Sequence, residues 1–170
     1  MTHREPRSIC DRVGVVLLVI PFILRGVAHA AQDDPLLEEM QRRCVRFFWE
    51  QADPETGLVA DRAPADGSAH PRVASIAATG FGLTALCIAD ERGWIEGEAA
   101  YGRVLTTLRF LWEKMPHVHG YFYHFVDRGT GERVWDCELS SIDTALLMAG
   151  VLTARQYYKG TEVERLATKL

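Results

Sequence analysis

A chain of 170 residues has room for one domain of ordinary size. Its 19 basic residues are outnumbered by 23 acidic ones and form no basic stripe, which argues against nucleic acid as a partner. Hydrophobic residues make up 48% of the chain, too large a share for disorder over most of its length.

The first 30 residues read as a leader rather than as part of the fold. His3, Arg4, Arg7 and Arg12 precede an apolar run, Val13 to Leu24, and Ala28-His29-Ala30 follows as an A-x-A cleavage signal. This is the pattern of a secretory signal peptide, and its apolar core is too short for an ordinary spanning helix. The expected consequences are a mature domain over residues 31–170, a periplasmic or secreted location, and no stable membrane insertion after cleavage. An uncleaved anchor is the competing reading. Cys44, Cys87 and Cys137 survive cleavage. Their odd number and the lack of C-x-x-C indicate neither a disulfide framework nor a zinc knuckle. Cys44 and Cys87 read as buried small hydrophobes on candidate helices, with a bridge between them as the alternative in an oxidising compartment.

Asp33-Asp34-Pro35 with Glu38 opens a first helix that runs to about Ala52. Leu37, Met40, Cys44 and Phe47-Phe48 recur at helical spacing and predict one buried face. Asp53 to Gly57 is a turn, and Leu58 to Arg72 continues as a long loop with Pro64, Asp66-Gly67 and Pro71. His70 and Arg72 close it. Val73 to Ala89 has no charged residue and predicts a helix buried on all sides. Gly80, Gly82, Thr79 and Thr84 suit close packing in a protein interior better than a membrane. Gly93 is its stop. Glu98 to Met115 is a second amphipathic helix, with Tyr101, Val104-Leu105, Leu108 and Leu111-Trp112 as its stripe, and Pro116 ends it. Tyr121 to Val126 is an aromatic β-type run. With the turn at Asp127 to Glu132 and Arg133-Val134-Trp135 it predicts a hairpin. A helix from Ser141 to about Tyr158 follows. Gly160 stops it, and Thr161 caps a new one.

Trp135 to Ala154 carries the chemistry. Three acids, Asp136, Glu138 and Asp143, crowd the entrance of an otherwise apolar helix. An unpaired carboxylate is costly to bury, so acids there suggest a site. Ser140 and Asp143 also fit an S-x-x-D capping box, and that reading stands beside the functional one for Asp143. Asp136 and Glu138 precede the helix, and in extended chain they point to one side. Local hydrogen bonding is the favoured reading of His124. No second His or acid at metal spacing indicates a metal site, and no cofactor is implied.

The chain repeats itself. Phe47-Phe48-Trp49-Glu50 matches Phe110-Leu111-Trp112-Glu113, Ser75-Ile76 matches Ser141-Ile142, and Leu83-Thr84-Ala85 matches Leu152-Thr153-Ala154. Each unit is an amphipathic helix, a long loop, then an all-round apolar helix. That is the logic of a two-layer helical toroid, which needs several units to bury its faces. The expectation is an all-α, incomplete (α/α)6 toroid with about two helical hairpins, the start of a third and a small β-hairpin insertion. Such a piece exposes its inner helices. The acids do not repeat, since Ala77, Arg72 and His70 stand opposite Asp143, Glu138 and Asp136. The site therefore belongs to the second unit.

Three motifs carry a resemblance to a known family. F-F-W-E-Q-A-D-P-E-T-G-L-V-A-D-R, A-S-I-A-A-T-G-F-G-L-T-A and W-D-C-E-L-S-S-I-D-T-A-L-L-M-A-G resemble the glycoamylase-like family, which includes bacterial β-1,2-glucanases and a domain of cyclic β-1,2-glucan synthases. The resemblance runs from Leu36 to Leu170. It implies an (α/α)6 toroid, often exported, that acts on a glucan oligo- or polysaccharide, with β-1,2-glucan foremost. It also implies that only the N-terminal part of such a domain is present. Glycosidic cleavage normally needs two carboxyl groups, one with a raised pKa. Glu138, then Asp143 and Asp136, are the candidate catalytic acids. Trp135, Tyr121, Tyr123 and Arg72 are candidate substrate contacts, the aromatics by stacking on sugar rings; a hydrophobic hairpin packed on the barrel is the other reading of the aromatics, and a solvated loop charge that of Arg72. A non-catalytic glycan-binding or interaction module is the alternative. A lyase ranks last, because no clustered basic groups await a uronic acid.

Overall fold

The structure, a computed structural model, describes residues 34–66 and 72–170. The leader read at residues 1–30 and His70 lie outside them. By its internal contacts the chain divides between Glu38 and Glu39. The described residues of the first unit form the opening turn of helix α1, where Asp34 Oδ1 accepts the Leu36 N–H at 2.9 Å. The other described elements belong to the second unit.

Helix α1 is Pro35–Glu50, close to its expected span. Its expected buried face is not realised. Met40 and Cys44 are exposed, and Val45 alone is buried, against Ala85 and Ala89 with Phe48 at its side. Leu36, Leu37 and Met40 stay in water, while Phe47, Phe48 and Trp49 are partly buried, Trp49 beneath the Arg103 guanidinium. The segment after it also departs from expectation. Leu58, Val59 and Ala60 are buried, and the last two are paired: Val59 bridges Ala52, and Ala60 bridges Ala74. Three successive apolar residues can fill a short strand buried on both faces.

Strand β1, Val73–Ser75, takes the first three residues expected to be helical. It pairs antiparallel with β4, Phe125–Asp127, so that Ser75 faces Phe125 and Val73 faces Asp127. Helix α2, Ile76–Glu91, starts where Ser75 accepts the Ala78 N–H at 3.3 Å. Helix α3 is Gly97–Glu113. Strands β2, His117–Val118, and β3, Tyr121–Phe122, form a hairpin of their own around His119-Gly120, both at positive φ. The aromatic run is thereby divided between two small sheets. Helix α4, Ser141–Tyr157, is capped by Ser140, and helix α5, Glu162–Ala167, by Thr161.

α2 packs along α4, α3 lies on α2, and α5 joins α3 to α4. The inner pair is α2 and α4, the outer layer holds α3 and α5, and α1 flanks α2. Two helical hairpins and the opening of a third therefore stand as expected. The inner helices meet backbone to backbone. A Cβ on Gly150 would lie 2.0 Å from the Gly80 carbonyl oxygen, and one on Gly80 would lie 2.4 Å from that of Leu146. Leu83, Leu86, Val104, Leu108, Leu111, Leu147, Val151 and Val163 fill the core around this contact. Each buried side chain of this kind contributes roughly 1.5–3 kcal/mol. Phe81, Ile88, Ile142 and Leu152 on the same inner helices are exposed, as expected of an incomplete array. No described helix is long and apolar enough to cross a membrane.

The caps refine the repeat. Ser75 and Ser140 occupy equivalent positions, one residue away from the Ser75/Ser141 match. Asp143 then stands opposite Ala78, and Glu138 opposite Val73. The acids still belong to the second unit alone.

Candidate functional site

The site forms where both inner helices begin. His124 sits between them. Its carbonyl accepts the Ile76 N–H at 3.3 Å, and its own N–H donates to the Glu138 carbonyl at 3.1 Å. The ring stacks on Phe125 with centroids 3.7 Å apart. Nδ1 lies 2.9 Å from Glu138 Oε1, and Nε2 lies 3.7 Å from Asp143 Oδ1. The imidazole thus hydrogen-bonds one carboxylate and lies within ion-pair distance of a second, both distant from it in sequence.

Asp143 is divided between capping and the site. Ser140 Oγ accepts the Asp143 N–H at 3.1 Å, as a cap should. The reciprocal half of the capping box is missing, because the Ser140 N–H goes to the Phe122 carbonyl at 3.0 Å. The Asp143 carboxylate instead accepts the Ser140 hydroxyl at 2.5 Å through Oδ2, which leaves Oδ1 toward His124. Asp143 is buried, whereas the Glu138 side chain is 63% exposed. The Glu138 carboxyl is held below its ordinary 4.5, first by its own backbone N–H and then by the His124 hydrogen bond. A general acid needs the opposite shift, so Glu138 suits a base or a hydroxyl-holding carboxylate better.

The expected alternation of Asp136 and Glu138 in extended chain is not found. Trp135 and Asp136 both have positive φ, 56° and 50°, and the Cys137 N–H closes the turn on the Val134 carbonyl at 3.2 Å. This is a type I′ turn without the Asn-Gly that such turns favour. It bulges out of the pairing of β4 with the returning chain, which is intact on either side at Val126/Arg133 and Tyr123/Leu139. Trp135 is 67% exposed at the turn, its ring 5.3 Å from that of Phe125, and Asp136 points fully into solvent.

The other candidates lie around this centre. Tyr121 is exposed on β3. Tyr123 is partly buried beneath the Arg133 guanidinium, 4.9 Å from its ring. Arg72 is not drawn into the acid cluster. It pairs with Asp127 at 2.5 Å, at the far end of the β1–β4 ladder from His124. Burial pushes the Asp127 carboxyl up, but Arg72 and the N–H groups of Thr130 and Gly129 outweigh it and hold the group low.

Sequence spacing gave no metal pattern, yet the fold brings His124, Glu138 and Asp143 together, with one ligand atom each within 4.8 Å of the others. Donors on one tetrahedral ion sit closer, about 3.4 Å apart for bonds near 2.1 Å. With each ring nitrogen facing a different carboxylate, the arrangement is an imidazole bridge between two acids rather than three donors converging on a point. A hydrogen bond of the His124 ring is present, but to Glu138, 14 positions away, rather than to a local partner. Arg133 was also missed. Its Nε donates to the Cys137 carbonyl at 2.6 Å and its Nη2 to that of Asp136. The residues that Arg133 and His124 join lie 3 to 19 positions away, and no local pattern marks them. The three cysteines among the described residues are free, Cys44 exposed and Cys87 and Cys137 buried, so the bridge between Cys44 and Cys87 is not formed.

No family model matches the chain. It is similar to the exo β-1,2-glucooligosaccharide sophorohydrolase (non-reducing end) of Parabacteroides distasonis, 35% identical over 138 residues, which cover 78% of this chain and 18% of that protein. Among solved structures it matches the endo-β-1,2-glucanase of Chitinophaga pinensis in complex with sophorotriose and glucose, with TM-score 0.71 and 29% identity over 82% of this chain and 35% of that one. It also matches the β-1,2-glucanase of Parabacteroides distasonis, with TM-score 0.70 and 33% identity over 82% of this chain and 20% of that one. Its homologues are β-1,2-glucanases and putative glucoamylases, and the chain aligns with only part of them.

Proposed function

We propose, for a chain whose homologues include β-1,2-glucanases, that it supplies the acid-bearing part of a site for β-1,2-glucan hydrolysis. The observation that carries this reading is the bridge Glu138–His124–Asp143 at the start of the inner helices, in the one repeat unit that has acids there. Carboxyl groups that flank a glycosidic bond leave room between them for the sugar or a water. Here the His124 ring lies between the two carboxylates. In this reading they act as one unit on one side of the bond, with Glu138 the exposed member that meets substrate and Asp143 the buried member that fixes His124. The opposing carboxyl group is then another residue, Asp136 on its exposed turn being the remaining acid of the segment. Trp135 and Tyr121 offer exposed aromatic faces for sugar rings.

The test is release of sugars from β-1,2-glucan by the protein that carries this chain, with and without Glu138→Gln. A loss of at least about a hundredfold is expected, in the range of a lost acid–base or charge-stabilising group. Unchanged activity in the variant would remove Glu138 from the mechanism. Glucan binding without hydrolysis would favour the non-catalytic binding module instead. We also propose that the protein is exported, on the strength of its basic, apolar and A-x-A segments in that order. N-terminal sequencing of the exported protein should begin at Ala31, and a start at Met1 would contradict this.

A further inference from the structure

We propose that Arg133 is a positioning residue for glucan binding, which holds the Trp135–Asp136 turn in shape so that the indole faces the sugar. The proposal rests on the reading of Trp135 as a sugar contact. Both turn residues occupy the left-handed region, which side chains other than glycine adopt at a cost, so something must hold them there. Arg133 does so from inside the turn. Its guanidinium fork spans the Asp136 and Cys137 carbonyls, and its face covers the Tyr123 ring. Tyr123 is anchored in turn by its bridge to Leu139, next to Glu138. One planar group therefore ties the exposed Trp135 to the segment that carries the acid. Lysine keeps the charge but has no fork to reach two carbonyls in one plane.

The test is sophorotriose binding by the full chain, measured by calorimetry for wild type, Arg133→Lys, Trp135→Ala and the double variant. Each single change is expected to weaken binding about tenfold, the weight of a charge-assisted hydrogen bond or a stacked ring. The double variant should bind no more weakly than Trp135→Ala, because Arg133 acts through Trp135. Wild-type affinity in Arg133→Lys, or losses that multiply in the double variant, would overturn the proposal. Wild-type affinity in Trp135→Ala would overturn it too, and would locate the fault in the indole contact instead. A ligand-free measurement keeps the brace itself in question. Hydrogen exchange at the Cys137 amide should speed up about tenfold in Arg133→Lys while amides along α2 and α4 stay protected. Unchanged exchange there would overturn the brace, and no sophorotriose binding by the wild-type chain would overturn the proposal together with the glucan reading.

Discussion

The Glu138 carboxyl is held low first by its own backbone N–H and next by the hydrogen bond from His124, a residue 14 positions away. His124→Ala should therefore let that carboxyl rise toward its ordinary 4.5, followed by carbon-detected NMR titration of the side chain. A titration identical to wild type would mean that the bridge has no electrostatic consequence. Asp127 makes the same kind of point about stability. It accepts the Gly129 and Thr130 N–H groups, both at 3.0 Å, and pairs with Arg72. Asp127→Ala leaves these donors without their acceptor and should cost about 1–3 kcal/mol in urea unfolding at neutral pH. A carboxyl held low in the folded chain stabilises fully above its ordinary 3.8 and loses that contribution as pH falls through its folded value. Wild type should thus lose stability in acid over that window, and the alanine variant should lose less there. Equal slopes would contradict the assignment.

Among the elements, what could be read from the sequence was what local chemistry dictates. The serine and threonine caps, the Gly93 and Gly160 stops and the largely apolar sequence of α2 and α4 each follow from a few neighbouring residues. What could not be read was decided by partners far away in the chain. Val59 and Ala60 pair because Ala52 and β1 lie beside them, and the aromatic run divides because His117-Val118 competes for its first half. Trp135-Asp136 lacks the glycine that usually announces a type I′ turn, and the Arg133 contact that goes with it has no local signature. The glycine contact of the inner helices shows both sides: Gly80 reads as close packing, while its partner Gly150 emerges only from the fold. Gly150→Ala would force a methyl group into the Gly80 backbone and should destabilise by about 1–3 kcal/mol or more, the usual cost of overpacking. Gly102→Ala, in α3 with open space around it, should stabilise by about 0.5–1 kcal/mol through helix propensity. Urea unfolding of the two variants reads opposite signs if the packing is as described, and the same sign if it is not.

For the molecule as a whole, the fold explains why the acids gather at one end. The inner helices run side by side, with their capped starts against the small β layer and their far ends joined where the Tyr158 hydroxyl donates to Asp90 at 2.8 Å. The β layer delivers His124 to the start of both helices, and the second unit alone supplies acids there. Phe81, Ile88 and Leu152 leave an apolar face open on the same helices, in a chain that spans 35% of the Chitinophaga pinensis enzyme it matches. Binding and catalysis therefore separate cleanly in experiment, because the described site can be probed by ligand without asking the chain for turnover. The most direct measurement is titration of the isotope-labelled chain with sophorotriose, followed amide by amide. Saturable shifts gathered at His124, Trp135, Glu138 and Asp143 are the predicted result. Saturable shifts elsewhere with none at these four residues, or no shifts at all, would contradict a glucan site at the start of the inner helices.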